Sequence, residues 1–125
     1  MTIRLPATPA SAALVRHRLA ADLAERAIPA TVVDDVILVA TELVSNAIRH
    51  AEPLAGGQVT VTWELDAVGI IVRVTDGGAA STPRVRHANP RDTSGRGLAL
   101  VEAIAASWGV EDTPEATTVW AIVAV

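Results

Sequence analysis

The sequence predicts an α+β fold, a two-layer α/β sandwich in which a mixed, mostly antiparallel sheet carries its helices on one face. Three observations carry that expectation. Two pairs of strand-like segments are each joined by a short turn, which makes antiparallel hairpins. The helical segments are amphipathic, so all of them can cover the same face of a sheet. The chain contains no Phe, Tyr or Cys, leaving Ala, Val, Leu, Ile and three Trp to fill a core. Small side chains of this kind suit close packing of helices on a sheet.

Taken in order, residues 2–5, "TIRL", alternate polar and apolar and predict a short strand before Pro6. From about Thr8 or Ser11 to Ala27, the residues Ala12, Val15, Leu19 and Leu23 keep helical spacing, with Arg16, Arg18, Asp22 and Glu25 elsewhere on the wheel. "IPA" breaks this helix, and Thr31 with Asp34 predicts an N-terminal cap for a second helix running to about His50. "QVTVTWEL" alternates strictly, placing Val59, Val61, Trp63 and Leu65 on one buried face, and "DAVG" turns the chain into "IIVRVTD". Residues 77–94 show no periodicity, and a loop of that length in a small domain is usually functional. A third helix begins near "SGRGLALVEAIAAS", and "WGVED" and "TTVWAIVAV" supply the last two strands.

At 125 residues the chain reads as one domain, residues 1–125. Its net charge of −4 disfavours nonspecific nucleic-acid binding, which relies on clustered basic charge. The absence of cysteine excludes a disulfide framework and a thiolate metal site. The N-terminal residues lack the pattern of a signal peptide, and no stretch approaches the ~18 apolar residues of a membrane span. These features predict a soluble, cytoplasmic protein with no membrane or direct nucleic-acid partner.

Three segments carry candidate chemistry. On the second helix, at about 100° per residue, Val33, Val36, Ile37, Ala40, Leu43, Val44, Ala47 and Ile48 form a core stripe. Asp35, Glu42, Asn46 and Arg49 cluster opposite, with Leu38 and Val39 adding an apolar wall on that side. Next, "VTDGGAA" ends a strand with Asp76 followed by glycines, an arrangement shared by ordinary Asp-Gly turns and by a carboxylate that accepts a hydrogen bond from an adenine amino group. Finally, "SGRGLALVEA" puts Gly95 and Gly97 at a helix start, where free N–H groups and the helix dipole favour phosphate. It is neither a Walker motif nor a Rossmann fingerprint.

In this order the three segments resemble the GHKL ATPase superfamily, the histidine-kinase-like group with the Bergerat fold. The single-domain length, "GRGLALVEAIA" and "TTVWAIVAV" are most similar to bacterial anti-sigma-factor serine/threonine kinases and their actinobacterial relatives. The resemblance spans roughly residues 10–125. It implies ATP and magnesium as cofactors, with Glu42 as general base and Asn46 as a magnesium ligand bridging metal and phosphates. It matches His50 to the basic position one turn on, and Asp76 and Gly78 to the adenine contact. Gly95, Arg96, Gly97 and Leu98 match the phosphate-binding turn, and Thr118 matches a strand threonine beside the adenine end. Residues 79–94 would form an ATP lid, with Arg84, Arg86, His87 and Arg91 approaching the phosphates. Ala80 departs from the pattern, standing where a second glycine is usual.

The implied activity is phosphorylation of a serine on an antagonist protein by an anti-sigma factor that also binds its sigma factor. Relatives form dimers, so a homodimer is a further expectation. Two alternatives stay open: a nucleotide-binding regulatory module without useful phosphotransfer, and a binding protein that has lost nucleotide altogether.

Overall fold

The computed structural model describes residues 1–50, 57–77 and 96–125, and the backbone alone at residues 50, 96 and 97. Strand β1 (Thr2–Pro6) leads into helices α1 (Pro9–Glu25) and α2 (Ala30–His50), then strands β2 (Gln58–Leu65) and β3 (Gly69–Asp76). Helix α3 (Arg96–Ile104) and strands β4 (Ser107–Asp112) and β5 (Thr117–Ala124) complete the order. The strands form one five-stranded sheet, β1-β2-β3-β5-β4. Every pairing is antiparallel, so the expected mixed sheet narrows to a wholly antiparallel one among the described residues.

Local chemistry sets the helix limits. Pro9 opens α1, where its missing N–H costs nothing. The helix ends at Glu25 rather than Ala27, because Ala27 turns into the left-handed region at φ 58. Its N–H donates to the Ala24 carbonyl and that of Ile28 to the Leu23 carbonyl, the paired bonds of a Schellman stop. Helix α2 starts earlier than the predicted cap: the Pro29 carbonyl accepts from Val32 and Val33 N–H at 3.0 Å each. Thr31 therefore lies inside the first turn, and the Thr31–Asp34 cap is not formed. In the β2–β3 turn the Asp66 carboxylate accepts from the N–H groups of Val68 and Gly69, as "DAVG" predicted. Gly69 is required there, since a Cβ would overlap the Val123 carbonyl on β5.

One face of the sheet is covered. Val59, Val61 and Trp63 of β2, Ile70, Val72 and Val74 of β3, and Val119, Ala121 and Val123 of β5 are buried beneath the helices. Helix α2 packs across β2, β3 and β5, with α1 on one side and α3 on the other. Leu65, predicted to join this face, is 42% exposed. It lies at the end of β2 beside the turn, outside the apolar cluster that the helices cover. The opposite face bears Ile71, Arg73, Thr75, Thr118, Trp120 and Ile122, with the Trp120 ring lying over Gly109.

The two ends of the sheet differ in what lies above them. Residues 26–29 turn the chain back between the helices, so that Pro9 and Ala12 share a cleft with Ser45, Ile48 and Arg49. Ala7 N–H donates to the Gly57 carbonyl, at the start of β2. Because β2 and β3 are antiparallel, the same end of the sheet carries Asp76. The last turns of α2 therefore stand over the end of β3. At the far end the Trp63 indole N–H donates to Asp22 Oδ2 of α1 at 2.8 Å, and Arg26 Nε reaches the same oxygen at 3.2 Å. The indole bond, with Arg26 adding to it, holds the Asp22 carboxyl below its ordinary value against the opposing effect of burial. Among the described residues no helix is long and apolar enough to cross a membrane.

Candidate nucleotide site

Helix α2 presents two polar side chains four residues apart. Glu42 is half-buried and Asn46 is only 4% exposed. The expectation that both lie opposite the core is corrected for Asn46. Val39, seven residues earlier and so in nearly the same helical direction, is fully buried in the core. The helix thus turns its Asn46 edge inward. Glu42 stands beside it at the rim.

Asn46 Oδ1 is buried and has no hydrogen-bond partner among the described residues. Leaving such an oxygen unmatched costs about 1–3 kcal/mol, and native structures contain few cases. It is an acceptor held ready, and an uncharged oxygen donor of this kind suits a hard cation such as magnesium, which keeps several waters and needs few protein ligands. No group of three or more His, Cys, Asp or Glu forms a metal-binding cluster among the described residues.

The end of the sheet supplies a second polar group. Asp76 closes β3 at 1% exposure, on the helix-covered face. Its register partner on β5 is Thr117, also buried at 2% exposure. Thr118, the threonine picked out in the sequence, lies on the other face. Its hydroxyl is 2.7 Å from that of Thr75, and the two face away from Asp76. The buried threonine beside Asp76 is therefore Thr117, one residue before Thr118. Counting back by twos from the apolar residues Val123, Ala121 and Val119 reaches Thr117, so strand alternation held the signal. On the far side of Thr117, Asp112 of β4 is its register partner, and Thr117 Oγ1 donates to Asp112 Oδ1.

The remaining predicted residues divide in two. Arg96 and Gly97 form the first turn of α3, which packs against α2, and Leu98 is a core residue at 2% exposure. Arg96 and Gly97 thus place backbone N–H groups at a helix start beside α2, while the Leu98 side chain serves packing. His50 is the last residue of α2. Its side chain, Gly78, Gly95 and the predicted lid 79–94 with Arg84, Arg86, His87 and Arg91 lie outside the described residues.

Asn46 turns an acceptor inward at the same end of the sheet where Asp76 buries its carboxylate. The profile of the histidine kinase-like ATPase domain matches residues 5–123. The chain belongs to that family. As a histidine kinase-like ATPase domain it carries, at family level, an ATP-binding role. Among curated proteins none matches the chain. Among solved structures, the RsbU and RsbW domains of Rv1364c from Mycobacterium tuberculosis are similar at 22% identity with a TM-score of 0.66. That likeness covers 97% of this chain and 31% of the other, so this chain spans less than a third of the length of that solved chain. At this identity the likeness establishes the fold.

Proposed function

We propose that the protein binds ATP with magnesium and acts in the cytoplasm as an anti-sigma factor that phosphorylates a serine of an antagonist protein. The observation that supports this reading best is the buried Asn46 Oδ1, unpartnered among the described residues, four residues after Glu42 and above the end of the sheet that holds Asp76. Asp76 would accept the adenine amino group, and the start of α3 at Arg96 and Gly97 would meet the phosphates with free N–H groups. Asn46 Oδ1 would hold magnesium together with phosphate oxygens and water. When bound, that ion neutralises charge on the phosphates.

The half-buried Glu42 carboxylate stands at the rim, where a partner's serine can reach it. There it would take the proton from the serine hydroxyl as that oxygen attacks the γ-phosphorus and the bond to ADP breaks. Catalysis would rest on positioning and charge, with no covalent enzyme intermediate. Sigma factor and antagonist would be the protein partners, and a second copy of this chain a third.

Labelled ATP, the purified protein and a candidate antagonist test the transfer. Glu42→Ala is expected to keep ATP binding and abolish transfer. Loss of both together would make Glu42 structural, and ATP binding without transfer by the unaltered protein would mark a nucleotide-binding regulatory module instead.

A further inference from the structure

We propose that Asp112, on the edge strand β4, sets the base preference of the nucleotide site by fixing the direction of the Thr117 hydroxyl, so that a 6-amino purine is accepted and a 6-oxo purine rejected. This rests on the nucleotide reading given above. Thr117 is the central member of a row of three register partners on the helix-covered face, with Asp76 on one side and Asp112 on the other. It is buried, and its Oγ1 donates to Asp112 Oδ1.

A hydroxyl carries a single proton. Once that proton is committed to Asp112, the rest of the Thr117 oxygen can only accept. The Asp76 carboxylate likewise offers only acceptors. A base edge arriving at this end of the sheet meets two acceptor groups and must bring donor hydrogens. The exocyclic amino group of adenine brings them. A 6-oxo purine has a single donor on this edge, N1–H, and sets the lone pairs of its O6 against the remaining acceptor; a polar site left unmatched in this way discriminates more strongly than an apolar one. Asp112 does this without touching the base: it is exposed, at the last pair of the β4–β5 ladder, and acts through Thr117. It is a positioning residue.

Equilibrium titration with ATP and with ITP, which differ at the 6-position, tests the proposal. The unaltered protein is expected to prefer ATP. Asp112→Ala frees the hydroxyl to turn and donate, and should lower the ATP/ITP affinity ratio by about fivefold, the worth of one neutral hydrogen bond. The ratio is the useful quantity, because the lost negative charge at position 112 acts on both nucleotides alike. Thr117→Val should lower the ratio similarly, and adding Asp112→Ala to Thr117→Val should lower it no further. An Asp112→Ala protein that binds ATP with an unchanged ratio overturns the proposal, as does an undiminished effect in the Thr117→Val background. Failure of the unaltered protein to bind either nucleotide would instead bring down the nucleotide reading beneath it.

Discussion

The two ends of the sheet bury polar groups in opposite ways. At the end where β2 meets the β2–β3 turn, Trp63 is 2% exposed, and its indole N–H is matched by Asp22, itself bridged to Arg26. At the other end Asn46 is as well buried, yet its side-chain oxygen has no partner among the described residues. A matched buried group specifies how helix and sheet dock; an unmatched one weakens the fold and persists where something else is to fill it. The contrast marks the Trp63 end as structural and supports the proposal that a ligand fills the Asn46 end.

Substitutions at the two ends should separate these roles. Asp22→Ala leaves the buried Trp63 N–H unpaired and should destabilise the protein by about 1–3 kcal/mol in denaturant unfolding at neutral pH. The Asp22 carboxyl is depressed in the folded state, so its contribution is complete above the ordinary carboxylate value and is lost as pH falls through the lower, folded one. The gap between the unaltered protein and Asp22→Ala should therefore close below about pH 4. A gap that widens in acid would contradict the assignment.

Asn46→Leu should cost under about 1 kcal/mol, or stabilise, in the same unfolding experiment without nucleotide, since it removes an unmatched oxygen. Destabilisation matching that of Asp22→Ala would make Asn46 another structural residue and erase the contrast. Smallest is the effect expected at Ala27, the left-handed stop of α1. Ala27→Gly should raise stability by about 1 kcal/mol, because glycine adopts that conformation without the Cβ clash. No gain in unfolding midpoint would show that the turn is already relaxed.

Much of the fold was legible because burial here follows simple periods. Val59, Val61 and Trp63 alternate as a half-covered strand must, and Leu43, Val44 and Ala47 mark the inner stripe of α2. The misreadings arise where tertiary cover decides the outcome. Leu65 keeps the alternation but lies beyond the helices. Asn46 shares its helical direction with Val39, and the helical wheel set both opposite the core stripe, although that direction enters the core. At the candidate site, Glu42, Asn46 and Asp76 were recognisable from spacing and residue type. Thr117 required strand parity, and Asp112 required the β4–β5 register, which no local pattern contains.

That the Asn46 and Asp76 end of the sheet is a magnesium-dependent nucleotide site is tested by an ATP titration of the unaltered protein with and without magnesium. ATP should bind, and magnesium should tighten binding by at least about tenfold, or about 1.4 kcal/mol. No ATP binding, or an affinity indifferent to magnesium, would contradict it.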